Sequence, residues 1–267
     1  MGVDTKLYVG AIQRPPLADA PGAPHDEVEC AGCKRNYMPI GAASAVADGA
    51  VLARCSVRSV AAMMFSVTDL DAWDAQTREL LETAYIAAGD GPQGSGSGHA
   101  SLGDWRAKRQ HLATPIDRDG TWLDVGCANG LLMATLPAWC AERNVSIEPF
   151  GLELIAKVAD LARSLHPHLA DRIWTGSAMQ WSPPQQFTYV TAIEDQVPPG
   201  RLGDLVNRLL EVFVAPGGRL ILSAYTNPTD KPRDLFADLT TSGHEPDGKI
   251  FIERPGRGPL ITAWLDR

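Results

Sequence analysis

An acidic residue followed by a small-residue turn is the part of this sequence best suited to chemistry. The stretch Thr121–Gly130 reads TWLDVGCANG, with Asp124 shortly before Gly126 and with Gly130 closing the turn. Glycine lets a backbone adopt unusual conformations and approach a ligand closely. A dinucleotide-binding turn has the pattern G-x-G-x-x-G and holds a pyrophosphate, whereas this chain has Ala128 at the middle glycine. A carboxylate such as Asp124 would repel a pyrophosphate but suits a ligand that carries an ammonium group.

A second carboxylate, Glu153, follows 23 residues after Gly130, at the end of the apolar segment Ile147–Leu152. An acid at the carboxyl end of the second strand of an open α/β sheet can accept both ribose hydroxyl protons. The other interpretation is an exposed acid at the start of a helix. The presence of Asp124 at the end of the preceding strand favours the ribose interpretation.

The segments around these two acids alternate between strand and helix patterns, as in an α/β domain. An apolar run leads into Asp124 as a first strand, and apolar residues recur at helical spacing after Gly130. The later predicted elements are a helix, two strands, a helix, a fifth strand after a P-G-G turn, and a terminal hairpin: Ile155–Leu165, Arg172–Thr175, Phe187–Ile193, Arg201–Val214, Ala215–Ser223, and Lys249–Glu253 with Leu260–Leu265.

The glycine turn, Glu153 and this order of elements resemble the class I S-adenosylmethionine (SAM)-dependent methyltransferases, whose first motif is commonly (D/E)-x-G-x-x-x-G. The resemblance covers roughly Gly98 to Arg267. It implies an α/β three-layer sandwich, with a mostly parallel seven-stranded sheet, a terminal antiparallel hairpin and helices on both faces. It also implies an enzyme that takes a methyl group from SAM and releases S-adenosyl-L-homocysteine (SAH).

The same resemblance assigns parts of the cofactor to particular residues. Asp124 and the turn formed by Gly126, Cys127, Ala128, Asn129 and Gly130 would hold the methionine portion of SAM. Glu153, with Leu154 beside it, would hold the ribose. The loop Ser177, Ala178 and Met179 would reach the adenine. The family often has an Asp where this chain has Ser177, so backbone contacts at Ala178 and apolar packing by Met179 or Trp181 are expected there.

Methyl transfer from a sulfonium depends mainly on placement, so a conspicuous catalytic motif is not required. Substrates of open α/β sheets sit beyond the carboxyl ends of the strands, where Glu194 and Asp195 follow the fourth strand and Tyr225 follows the fifth. Glu194 and Asp195 are candidate bases or amine-binding groups, with loop acids or helix caps as the alternative. His99, in a glycine-rich segment, is the third candidate base. The lack of a (D/N)-P-P-Y motif after the fourth strand argues against methylation of adenine, cytosine or glutamine amino groups.

Composition bounds the substrate and the location. The 267 residues are 45% apolar with a formal net charge of −8, and the sequence pI is near 5.2. Nucleic-acid binding needs clustered cations, and Arg106, Lys108 and Arg109 are expected on a solvated helix face, so nucleic acid is an unlikely partner. No apolar run approaches a membrane span, and no signal-peptide pattern opens the chain. We therefore expect a cytoplasmic protein that acts on a small molecule.

The chain divides into three predicted parts: residues 1–62 as a weakly ordered extension, 63–103 as a helix with a Gly/Ser-rich segment, and 104–267 as the SAM-binding domain. Thr68 and Asp71 resemble a capping box, which predicts a helix that ends at Gly89. The Gly/Ser-rich segment 89–103 is either a flexible linker or a lid over SAM and substrate. As a lid, it would bring His99 and Trp105 to face the site.

The cysteines raise the question of a metal. Cys30-x-x-Cys33 has the spacing of a zinc knuckle, which keeps a small metal-binding or partner-binding module open as a role for the first 60 residues. A second close pair is missing, since Leu52 and Arg58 flank Cys55. We therefore predict no metal site, and we expect Cys127 to be a small packing residue rather than a nucleophile.

Other functions remain open from the sequence alone. The loops after the strands carry no recognisable catalytic motif, which is compatible with a non-catalytic SAM-binding or scaffold protein. An RNA methyltransferase is disfavoured by the acidic surface, and an NAD(P)-dependent oxidoreductase by Asp124. Within the preferred function, the sequence does not distinguish an oxygen from a nitrogen acceptor.

Overall fold

The computed structural model of the chain describes residues 69–96, 101–225, 234–254 and 257–267. The predicted N-terminal extension, Cys30, Cys33, Thr68 and His99 lie outside the described residues. Across the described part, strands and helices alternate as the sequence predicts, beginning with a long helix.

The described strands form one seven-stranded sheet in the order β3-β2-β1-β4-β5-β7-β6. The first five strands run parallel, while β7 is antiparallel to both β5 and β6. This arrangement confirms the predicted mostly parallel sheet with a terminal antiparallel hairpin. The strand bounds are β1 Gly120–Val125, β2 Ile147–Glu153, β3 Ile173–Thr175, β4 Phe187–Ile193, β5 Val214–Tyr225, β6 Gly248–Arg254 and β7 Arg257–Asp266.

Helices cover the sheet, and the described helices are α1 Leu70–Ala88, α2 Leu102–Arg109, α3 Leu131–Ala141, α4 Ala156–Leu165, α5 Leu202–Arg208 and α6 Leu235–Thr241. The last turn before β5, Leu209–Phe213, is a π-helix that continues α5. The predicted helix over Arg201–Val214 therefore exists but changes its winding. The helix α6 had no counterpart among the predicted elements.

Two apolar clusters lie on opposite faces of the sheet because neighbouring residues of a strand point in opposite directions. In β1, Leu123 packs with side chains of α5 and of the π-helical turn after it, including Leu205 and Leu209. Trp122 packs instead with residues of α2 and α3, including Trp105 and Leu136. The sheet is thus buried on both faces, which confirms the three-layer sandwich and explains the nearly continuous apolar runs of its parallel strands.

The helix α1 begins one residue later than the capping box suggests. Asp69 is the N-cap, and its carboxylate accepts a hydrogen bond from the Ala72 amide at 2.9 Å. The helix ends at the predicted Gly89, which has a positive φ of 69° and whose amide donates to the Tyr85 carbonyl. A short 3-10 turn, Pro92–Ser95, follows. The next helix, α2, runs across residues 103 and 104, where the sequence analysis placed a boundary.

Candidate functional site

The glycine turn connects the carboxyl end of β1 to the start of α3. Gly126, Ala128 and Gly130 have positive φ angles of 78°, 49° and 77°. Such a conformation is uncommon for a residue with a side chain and often marks a functional position. It directs the Ala128 amide to the carboxylate of Glu153, whose Oε2 accepts it at 2.8 Å. The two predicted parts of the site, the turn and the acid after β2, are therefore in direct contact.

Glu153 is buried at the end of β2, and both of its carboxylate oxygens accept backbone hydrogen bonds. Oε1 accepts the Ile155 amide at 2.9 Å, and Oε2 accepts Ala128. Burial raises the pKa of Glu153, and the amides of Ile155, Ala128 and Leu154 oppose that shift. Each carboxylate oxygen has two lone pairs, so this anchored carboxylate keeps acceptor capacity for further hydroxyl donors.

Asp124 is the second buried acid, with 7% of its surface exposed. Its Oδ1 accepts the Thr191 hydroxyl of β4 at 2.9 Å. Burial raises the pKa of Asp124 from 3.8 to about 7, while the Thr191 hydrogen bond and the charge of Arg109 act in the opposite direction. A carboxylate that burial has desolvated in this way is stabilised by any cation that binds beside it.

The loop after β3 lies next to Glu153, because β3 pairs with β2. Ser177 and Ala178 are buried, and the Ser177 hydroxyl accepts the Met179 amide at 3.2 Å. The Ala178 carbonyl already accepts Arg208 Nε at 2.9 Å. Trp181 packs against Trp174, with ring centroids 5.3 Å apart, and belongs to the apolar cluster of that face.

A buried carboxyl that the sequence analysis missed, Asp74 of α1, reaches this loop. It forms a side-chain hydrogen bond with Ser177, and burial raises its pKa while that hydrogen bond and Arg78 lower it. Asp71, one turn earlier, accepts a hydrogen bond from Gln180. The sequence assigns Asp71 to a capping box and gives no role to Asp74. Nothing in it indicates that this helix lies over the loop after β3.

The remainder of α1 crosses the same edge of the sheet. Arg78 Nε lies 3.5 Å from the carbonyl of Leu154, and Glu82 pairs with Lys157 of α4 at 2.6 Å. After the helix, the carbonyls of Gly89 and Gly91 both accept Asn129 Nδ2 at 3.0 Å. Thus α1 and the turn after it contact the loops that follow β1, β2 and β3. The described part of segment 89–103, which the sequence predicts as a linker or a lid, therefore contacts the glycine turn, and α1 extends this contact along the same edge.

A glycine permits the closest part of this contact. A Cβ on Gly94 would lie 2.0 Å from the Gly89 carbonyl oxygen and 2.8 Å from Asn129 Nδ2.

Tyr85, on the last turn of α1, also enters the site. Burial raises the pKa of its phenol, and the charges of Glu153 and Asp195 add to the rise. Its hydroxyl group is thus within electrostatic range of an acid after β2 and an acid after β4.

The candidate bases after β4 differ in exposure. Glu194 is buried and Asp195 is exposed, although both lie in the 3-10 turn Glu194–Gln196. Gln196 of the same turn approaches the glycine turn, since a Cβ on Gly126 would lie 2.8 Å from its Nε2. The structure therefore brings this turn against the glycine turn. Trp105, predicted to face the site, instead donates its indole N–H to Thr135 of α3 at 3.1 Å and is buried in the apolar cluster there.

The last turn of α2 corrects the prediction of a solvated basic face. Lys108 and Arg109 are buried, with 7% and 6% exposure, whereas the Arg106 side chain is 47% exposed and pairs with Glu142 at 2.6 Å. The Arg109 guanidinium lies 4.0 Å from the ring centroid of Tyr225, the last residue of β5. Tyr225 is at the carboxyl edge of the sheet, so this end of α2 faces the same edge as Asp124.

Three further properties concern only the described residues. Within them, no group of three or more His, Cys, Asp or Glu side chains is placed to hold a metal ion. Cys127 is a buried free thiol in the glycine turn, and burial, together with Glu153 and Asp124, raises its pKa. Across the described ranges, no helix combines the length and apolarity needed to cross a membrane.

Comparison with known proteins finds similarity in shape. No protein-family model and no curated protein matches the sequence. The N-methyltransferase NodS from Bradyrhizobium japonicum, solved with SAH, is similar with a TM-score of 0.49 and 14% identity over 72% of this chain and 98% of NodS. The mitomycin 7-O-methyltransferase MmcR gives a TM-score of 0.49 and 16% identity over 81% of this chain and 68% of its own. A geranyl diphosphate C-methyltransferase from Streptomyces coelicolor gives 0.42 and 17% over 63% and 78%. At these identities the likeness concerns the fold.

Proposed function

We propose that this chain binds SAM at the carboxyl edge of its sheet and transfers the methyl group to a small-molecule acceptor, to an oxygen or a nitrogen atom. The observation that carries the proposal is the pair of buried carboxylates, Asp124 at the end of β1 and Glu153 at the end of β2, the second of which accepts the Ala128 amide of the glycine turn. Burial raises the pKa of both acids. A ligand with positive charge and with vicinal hydroxyls complements such a pair.

The chain's own groups fit the parts of this ligand one after another along the edge. Asp124 pairs with the ammonium of the methionine portion, beside the glycine turn. Glu153 accepts the ribose hydroxyls with the oxygen lone pairs that its backbone donors leave available. The Ser177–Met179 loop contacts the base, and Asp74 adds a carboxyl that the loop itself lacks.

The chemistry asks for placement and water exclusion from the protein. When bound, SAM supplies an electrophilic methyl group, and attack by the acceptor's lone pair breaks the carbon–sulfur bond and leaves SAH. Residues 70–96 shield the turn, because α1 and the 3-10 turn lie across the loops after β1, β2 and β3. Glu194 and Asp195, with His99, remain the candidate groups to take a proton from the acceptor. A cytoplasmic location is part of the same proposal.

Calorimetric titration of the full chain with SAM and SAH tests the proposal. We expect both to bind, and we expect Asp124→Ala to abolish measurable binding. Asp160→Ala is the matched control, because the Asp160 side chain is 72% exposed on α4 and its loss should change nothing.

The possible outcomes separate the competing functions. Failure of both ligands to bind would overturn the proposal, and binding of NADH in their place would favour an oxidoreductase. Mass spectrometry detects the release of SAH in the presence of a panel of small-molecule acceptors. Binding of SAM without such release would favour a non-catalytic SAM-binding protein.

A further inference from the structure

The end of α2 carries a buried arginine whose contacts differ from those of the other charged groups at this edge. The Arg109 guanidinium lies over two aromatic rings, 4.0 Å from the centroid of Tyr225 and 5.3 Å from that of Trp105. Its Nε is buried and has no hydrogen-bond partner among the described residues. A buried donor without a partner is destabilising, so a ligand that accepts this hydrogen bond would remove that penalty.

Tyr225 brings a second such group to the same place. Its hydroxyl is also buried and, within the described part of the chain, also lacks a hydrogen-bond partner. The Lys108 ammonium lies 5.2 Å from the centroid of the same ring. Two positively charged side chains therefore lie against one aromatic ring, and such a place attracts a negative charge. An arginine fork and a hydroxyl are the donors that a carboxylate or a phosphate binds best.

The position of this cluster relative to the glycine turn indicates what the anion belongs to. Tyr225 ends β5, and β5 is separated from β1 by β4. Two strand spacings amount to about 10 Å, so Tyr225 lies on the side of β4 away from β1, β2 and the Ser177 loop, while the charge of Arg109 also reaches Asp124. The cofactor proposed above extends from β1 towards β3, in the opposite direction.

We infer that Arg109 and Tyr225, supported by Lys108, form an anion-binding subsite for the methyl acceptor, and that the acceptor carries a carboxylate or a phosphate. This inference rests on the proposed function, since it assigns the other half of the same site. Arg109 holds the anion through its unpartnered N–H and its neighbouring nitrogens, while the Tyr225 hydroxyl donates a further hydrogen bond. The bound anion sets the distance of the reacting atom from the glycine turn.

The thermal unfolding midpoint of the SAH-saturated chain tests this subsite with defined probes. Benzoate and benzamide have the same shape and differ in charge, and inorganic phosphate is the second anion. A probe at ten times its Kd should raise the midpoint by about 3 °C. We expect benzoate or phosphate to do so and benzamide not to. Arg109→Met should remove the shift, whereas Arg106→Met, on the exposed side of the same helix, should keep it.

Two arms keep the result interpretable. Tyr225→Phe removes one hydroxyl with little effect on packing and should reduce the anion-induced shift. It tests the subsite independently if Arg109→Met proves unstable. SAH and 5′-methylthioadenosine, which lacks the amino acid, should each bind Arg109→Met within twofold of the unaltered chain. A loss of tenfold or more for SAH alone would assign Arg109 to the cofactor's carboxylate and overturn the inference.

Equal shifts with benzoate and benzamide, no shift with either anion, or a shift that survives both substitutions would also overturn it. Failure of the unaltered chain to bind SAH would instead count against the proposed function, so the two failures are distinguishable.

Discussion

The carboxyl edge of the sheet has an acidic half at β1 and β2 and a basic half at β5, and the two are prepared differently. On the acidic half, Asp124 accepts the Thr191 hydroxyl and Glu153 accepts two backbone amides. On the basic half, Arg109 Nε and the Tyr225 hydroxyl have no hydrogen-bond partner among the described residues. One half is thus oriented in advance by its own fold, while the other becomes complete when a ligand supplies acceptors.

This difference suggests a division of labour. Preorganised carboxylates lose little freedom on binding, which favours an invariant ligand that every catalytic cycle uses. Groups without partners gain more from the one ligand that pairs with them and reject ligands that do not, since a mismatched ligand leaves them buried and unpaired. We therefore expect affinity for the cofactor to reside in the acidic half and selectivity for the acceptor in the basic half.

The largest expected effect is that of Asp124→Asn. It should weaken SAH binding about a hundredfold, because a buried cation loses its charged partner. The folded-state pKa of Asp124, about 7, lies above its ordinary 3.8, so the native chain loses stability as pH rises from about 4 to 7 and stays lower above that. The asparagine avoids this loss, and its unfolding midpoint at pH 8 should exceed that of the unaltered chain by a few degrees. Calorimetric titration and thermal unfolding measure the two effects, and a variant with unchanged SAH affinity would contradict the assignment.

A smaller loss, about tenfold, is expected for Glu153→Gln. The amide retains one acceptor oxygen for the Ala128 or Ile155 amide, but it cannot accept on both sides. Titration with SAH and with its 2′-deoxy analogue tests the role in ribose binding. The unaltered chain should prefer SAH, and the variant should bind the two ligands almost equally. A preference that survives the substitution would show that another group reads the ribose.

The acidic half should also respond to pH. Below pH 7 Asp124 takes up a proton in the free protein, and in the proposed site the ammonium of SAH binds its charged form. Affinity should therefore fall about tenfold between pH 8 and pH 6, with uptake of SAH at pH 6 releasing close to one proton. Titration in buffers of different ionisation enthalpy counts that proton. Asp124→Asn should abolish the dependence, and a dependence that persists in this variant would point to another titrating group.

The smallest expected effect is that of Asp74→Asn, about threefold on SAH affinity. The amide keeps the shape of the side chain against Ser177 but replaces an acceptor oxygen with a donor. S-inosylhomocysteine has an oxygen in place of the adenine amino group. The substitution should therefore lower the affinity for S-inosylhomocysteine less than the affinity for SAH. Asp90→Asn, at an exposed position after α1, is the control. Identical ratios for both ligands in all three proteins would remove Asp74 from the base site.

The sequence predicted the elements and contacts that local pattern controls. The glycine turn, β4 and the end of α1 at Gly89 depend on backbone conformation and alternating or continuous apolarity, which are written in neighbouring residues. The burial of Arg109 depends instead on where α2 packs after the chain has crossed the sheet. On an isolated helix, Arg106 and Arg109 differ by less than one turn, so periodicity alone did not separate the exposed arginine from the buried one.

Asp74 shows the same limit from another direction. Asp71 and Arg78, about one turn away on either side, are exposed, and the spacing of Asp74 fits a polar helix face as well as a site. It acquires a role only because α1 lies across the loop after β3, more than 100 residues later in the chain, where Ser177 is its partner. Placement of α1 is a tertiary property, because the partners of its polar side chains lie far away in the sequence.

The position of α1 has a consequence for rates. A ligand lying under the helix leaves only when the helix moves away, so its residence time follows the opening of α1 rather than the strength of each hydrogen bond. The Glu82–Lys157 pair that fastens the middle of the helix is partly solvent-exposed, and salt screens such pairs over about 8–10 Å. Dissociation of SAH should therefore accelerate as ionic strength rises. The contacts of the ligand with the buried carboxylates beneath the helix should be almost insensitive to salt.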